Sequence, residues 1–96
     1  TGRVLSGKEA AELGLVTRVA DDPRAEALAL AREIAGKSPD AIRAGKKLLE
    51  DSWHADAAHG LALEASLQGG LIGSSNQLEA VKSVFEKRDA QYTDVA

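Results

Sequence analysis

The sequence predicts a mostly α-helical chain, and three observations predict it. Helix-start signals recur at Ser6 with Glu9, Asp22 with Pro23, Ser38 with Pro39 and the Gly-Ser-Ser-Asn stretch at 73–76. Apolar residues then return at helical spacing, and glycines at Gly14, Gly36 and Gly73 stand where the periodic stretches stop. The apolar content of 44% is mainly Ala, Leu and Val, with one Trp, one Tyr and one Phe. Such small side chains suit closely crossing helices better than a sheet sandwich.

The elements follow in order. Ser6 and Glu9 form a capping box, in which the serine oxygen accepts from a free amide and the glutamate reaches back. Ala10, Ala11 and Leu13 continue that helix until Gly14 turns it left-handed. Leu15, Val16 and Val19 predict at most one very short strand near residues 15–19. A second helix starts at Asp22-Pro23, carries Ala27, Leu28, Ala31, Ile34 and Ala35 on one stripe, and stops at Gly36. The third starts at Ser38-Pro39 and places Ile42, Gly45, Leu49 and Trp53 on one face, opposite Lys46, Lys47, Glu50 and Asp51. After a break near 54–56, a fourth runs from about Ala57 to Ile72 with Leu61, Leu67 and Leu71 among its apolar residues. The last carries Val81, Val84 and Phe85, ends in Glu86-Lys87-Arg88, and is capped by Ser74 with Gln77 or by Asn76 with Glu79. Residues 1–88 therefore read as one helical segment and 89–96 as a polar, frayed tail.

Composition excludes several function classes. Ninety-six residues make at most one small domain, and a net charge of −3 gives no electrostatic footprint for nucleic acid. The absence of cysteine removes disulfides, thiolate nucleophiles and cysteine-type zinc sites, and it fits a cytoplasmic location. No apolar run approaches the ~20 residues of a membrane span, so no membrane partner is expected. With no methionine in the sequence, the opening Thr1-Gly2-Arg3 reads as the interior of a longer polypeptide.

Individual polar residues read as structural. His54 and His59 are five apart, so on one helix they would point about 140° from each other, which cannot make an i, i+4 metal pair. No metal site is expected. Asp21-Asp22 before Pro23 reads as turn and cap rather than as a carboxylate dyad. Glu9, Glu12 and Glu64 have no oxyanion donors or cleft to serve as general bases. Lys46 and Lys47 read as a solvated face, and cations at 87 and 88 suit a helix C-terminus on dipole grounds alone.

Three blocks in order carry a family resemblance. They are Gly2-Arg3 with Ser6, Glu9-Ala10 and Gly14-Leu15-Val16; Ser38-Pro39 with Ala41-Ile42-Arg43-Ala44 and the run 46–49; and the run 79–88 ending in Glu-Lys-Arg. Together they resemble the carboxy-terminal part of the crotonase (enoyl-CoA hydratase/isomerase) superfamily. The resemblance implies the helical, trimerisation-type end of a ββα-spiral fold and an acyl-CoA thioester as substrate, with no further cofactor. It also implies hydration of an α,β double bond, as in fatty-acid β-oxidation. Backbone N–H groups would hold the thioester oxygen as it gains enolate character, and two glutamates would move the protons.

In the family those groups precede this region, so no catalytic residue is expected here and the 96-residue chain alone should be inactive. The resemblance further implies a homo-oligomer, a trimer or dimer of trimers, with Ile42, Leu49, Trp53, Leu61, Leu67 and Leu71 in core or interface. It puts Lys87 at the CoA phosphate, with Phe85 and Val84 beside it. The family often has Phe one residue before Phe85 and an aromatic at the position of Gln68, so adenine contact here departs from the usual pattern. A different class of reading is a non-catalytic helical self-association module.

Overall fold

The computed structural model describes residues 1–94; Val95 and Ala96, the end of the expected tail, lie outside the described residues. The described residues form five helices, α1 (Gly7–Glu12), α2 (Pro23–Ala35), α3 (Pro39–Ser52), α4 (Ala57–Leu71) and α5 (Ser75–Glu86), with no strand. They divide into two units, 1–32 and 33 onward.

In the first unit, α1 opens on the expected capping box. Ser6 Oγ accepts from Glu9 N at 3.2 Å and Glu9 Oε2 accepts from Ser6 N at 3.1 Å. The Ser6 amide, then the Arg3 guanidinium, hold the Glu9 carboxyl below its ordinary range. The helix closes with Leu15 N donating to Ala10 O and Gly14 N to Ala11 O, Gly14 at φ 74°. Residues 15–17 bend and 18–19 are irregular rather than a strand, because no neighbouring strand exists among the described residues to supply a ladder. Asp22 caps α2 as expected, its carboxylate accepting from Ala25 N at 3.0 Å.

In the second unit, Ser38 makes no side-chain cap, and Pro39 at the first helical position starts α3 without it. α3 and α4 pack on each other. Beyond Pro39, the half-buried positions are Asp40, Ala44, Leu48 and Ser52 on α3 and Gly60, Leu63, Leu67 and Leu71 on α4, each a single helical stripe. A Cβ on Gly60 would stand 3.7 Å from that of Ser52, so small residues set the approach. The Ser52 hydroxyl donates to Leu48 O and stays satisfied there.

The other face of α3 stays open. Ile42, Leu49 and Trp53 point away from α4 and are exposed, Trp53 by 78%, as is Leu61 on α4. They are not core of this chain. The choice turned on neighbours: α3 has two apolar stripes, and the smaller-residue stripe lets a second helix come close. Gly69 and Gly70 continue α4 without a break and nothing lies within 4 Å of where their side chains would be, so they serve no close crossing among the described residues.

The expected frayed tail is also corrected over its described part. Asn76, 1% exposed, donates from Nδ2 to Asp40 Oδ2 (2.9 Å) and to Thr93 O (2.8 Å). Its Oδ1 accepts from Thr93 N at 2.9 Å and from the Thr93 hydroxyl at 3.3 Å. Asn76 thus ties the start of α3, the start of α5 and the tail. Since Asn76 follows the end of α4 so closely, its bond to Asp40 means that α4 runs back along α3. The cap of α5 is therefore Ser74, which accepts from Gln77 N, while Gln77 Oε1 accepts from Gly73 N.

No hydrophobic side chain among the described residues is fully buried; only Asn76 and Ser83 are. The chain exposes 7867 Å², whereas two compact bodies of a third and two thirds of its 10.0 kDa would expose about 6,300 Å². Glu64 is the sole Asp, Glu, Lys or Arg on α4, and a helix so apolar all round belongs under cover.

Candidate functional site

The end of α5 gathers the residues singled out for ligand contact. Its exit repeats the hydrogen bonding seen after α1: Lys87 N donates to Val84 O and Arg88 N to Ser83 O. After α1 and α4 the left-handed residue is glycine, Gly14 and Gly73. After α5 it is Lys87, at φ 52° and ψ 45°, the single non-glycine residue with positive φ among those described. A side chain there costs about 1–2 kcal/mol, and such strain persists where surrounding contacts over-determine it.

Those contacts are polar. Arg88 Nη1 and Nη2 grip both oxygens of Glu79 at 2.5 and 3.0 Å. Arg88 Nε donates to Glu86 Oε2 at 2.6 Å and Nη1 to Asp89 O at 3.0 Å. Gln91 N also donates to Glu79 Oε1, at 2.8 Å. The Arg88 guanidinium, with the Gln91 amide second, pulls the Glu79 carboxyl from 4.5 to about 2, and the same grip raises the pKa of Arg88.

Arg88 is thus consumed by structure, while Lys87 makes no ion pair among the described residues. On helix-dipole grounds the two cations look alike, and the resemblance alone singles out Lys87; the nine-residue reach from Arg88 to Glu79 gave no local signal. Val84 and Phe85, which shortly precede Lys87 in the chain, are 75% and 82% exposed.

Because the pKa of Glu79 is depressed on folding, its contribution is present above the ordinary carboxylate range and fades as pH falls from about 4.5 toward 2. Acid titration followed at α5 should show loss of stability in that window, and Glu79→Gln should abolish the step. Loss of the same size in the variant would refute the assignment.

Elsewhere the expected sites divide. Ile42, Leu49, Trp53 and Leu61 form open apolar surface, and Leu67 and Leu71 are half-buried in the α3–α4 pair. His54 and His59 stand by the α3–α4 connection, Asp56 capping α4 through His59 N, and no group among the described residues has the geometry of a metal site. The first unit holds an apolar groove of about 400 Å³ that Val16, Val19, Ala27 and Leu30 line. No helix among the described residues is long and apolar enough to cross a membrane.

Comparisons with known proteins identify the family and the fold. The family model described as enoyl-CoA hydratase/isomerase matches residues 1–95. The mouse mitochondrial enoyl-CoA hydratase domain-containing protein 2 is 37% identical over 98 residues, 96% of this chain and 33% of that protein. Human mitochondrial methylglutaconyl-CoA hydratase is 34% identical over 98 residues, 96% of this chain and 29% of its own length. A probable enoyl-CoA hydratase of Mycobacterium leprae is 37% identical over 95 residues, 97% of this chain and 37% of that protein.

Among solved structures, an enoyl-CoA hydratase from Polaromonas sp. JS666 superposes with a TM-score of 0.86 at 29% identity, over 96% of this chain and 37% of that one. The chain spans about a third of the length of the curated relatives it matches. Two of these relatives are mitochondrial by name, which does not support the cytoplasmic expectation.

Proposed function

The chain belongs to the enoyl-CoA hydratase/isomerase family, and from that premise we propose that it is the helical, oligomer-forming part of an enzyme that hydrates the α,β double bond of acyl-CoA thioesters, as in β-oxidation. In this reading it covers the CoA end of the site and supplies no proton-transfer group. The observation that carries the reading is Lys87: a cation held at energetic cost in a left-handed turn, without a carboxylate partner among the described residues, next to exposed Phe85 and Val84.

A point charge so placed suits a phosphate, and the 3′-phosphate of CoA is the group proposed. The adenine would lie against Phe85 and Val84. Hydration needs donors aimed at the developing enolate oxygen and an acid–base pair at the double bond. Of the carboxylates weighed as general bases, Glu9 is engaged by Arg3, which supports its exclusion from that chemistry. The 96-residue chain alone is accordingly expected to give no turnover of crotonyl-CoA in a hydration assay; measurable turnover would contradict the proposal.

The direct test is ligand binding by the native protein. Lys87→Ala should weaken CoA about fivefold, the ~1 kcal/mol of one exposed charge pair, and leave 3′-dephospho-CoA unaffected. Lys87→Gly should weaken CoA equally while raising stability by about 1 kcal/mol, because it relieves the left-handed strain. Equal loss for both ligands would remove the phosphate assignment.

A further inference from the structure

We infer that Glu79 and Arg88 are positioning residues that aim the Lys87 ammonium, a conclusion that rests on the phosphate reading above and adds how that cation is held. Three observations meet here. Lys87 adopts a left-handed turn that its own chemistry disfavours, whereas glycine takes the corresponding place after α1 and α4. The next residue, Arg88, spends its guanidinium on both Glu79 oxygens, on Glu86 and on Asp89 O, so the chain direction after Lys87 is fixed.

The tail then returns to the same carboxylate through Gln91 N, and two residues later Thr93 is locked on buried Asn76. Glu79 is therefore gripped twice by the chain that follows Lys87, by the Arg88 guanidinium and by the Gln91 amide. A helix exit of this kind often closes with an apolar contact between the residues at positions 83 and 88. Here those are Ser83 and Arg88, and the closure is ionic. Released from Glu79, the turn would relax toward right-handed geometry and carry the Lys87 side chain with it.

The test compares CoA with 3′-dephospho-CoA on the native protein. Glu79→Gln should lower the preference for CoA on the order of fivefold, matching Lys87→Ala, while affinity for 3′-dephospho-CoA holds. Backbone NMR should show Lys87 leaving the left-handed region. Arg88→Lys, which keeps the charge without the two-pronged grip, should do the same and serves if Glu79→Gln fails to fold.

An unchanged preference with Lys87 still left-handed would overturn the inference while Lys87→Ala still showed the phosphate contact. If Lys87→Ala also left the preference unchanged, the phosphate reading itself would fall, and this inference with it. Equal weakening of both ligands would mark Glu79 as merely structural and overturn it too.

Discussion

Asn76→Ala is expected to destabilise the protein by about 3 kcal/mol, the sum of two hydrogen bonds to backbone, one to a carboxylate, and the groups left unpaired. The side chain is 1% exposed and water cannot replace its amide. Truncation leaves Asp40 and the Thr93 N–H and C=O without their partner. Asn76→Asp sharpens the test, because it removes the donor and sets a second carboxylate against Asp40. Like charge disfavours the introduced carboxylate in the folded state, so this variant should be least stable above the ordinary carboxylate range and regain stability as pH falls. Urea unfolding of each variant beside the parent protein, at one fixed protein concentration, reads both effects. A loss below about 0.5 kcal/mol, the level of an ordinary surface substitution, would show that the Asn76 knot does not hold the tail.

The sequence made the local grammar legible and the long-range choices illegible. The Ser6–Glu9 box, the Asp22 cap and the Gly14 exit act within a few residues, so they can be read from spacing. Asn76 could not be read that way. An asparagine at a helix start suggests a cap, yet its partners lie 36 and 17 residues away at Asp40 and Thr93.

The same limit explains α3. Periodicity marked Ile42, Leu49 and Trp53, but which stripe meets α4 depends on the small residues Ser52 and Gly60 facing each other. At the candidate site, family resemblance pointed to Lys87. Its left-handed backbone and the Arg88–Glu79 grip became visible only in three dimensions, since a lysine at a helix end is ordinary.

A second large effect follows from the absence of buried hydrophobic side chains among the described residues. Val84, Phe85, Leu49, Trp53 and Leu61 are each exposed by 65% or more. At about 25 cal/mol per Å², an uncovered excess of roughly 1,600 Å² over compact bodies could yield tens of kcal/mol if buried, before entropic costs. Polar ties such as Asn76 and Arg88 fix local geometry, but a chain of this size needs apolar burial for its stability. The account therefore expects covering surface, and in the isolated chain a second copy is the surface at hand.

Thermal unfolding of the purified chain from about 1 to 300 µM, paired with sedimentation velocity, measures this. Folding coupled to association should raise the midpoint on the order of 5 °C for each tenfold in concentration. A sedimenting monomer with a sharp midpoint independent of concentration would contradict the claim that these helices are built to lie against other protein.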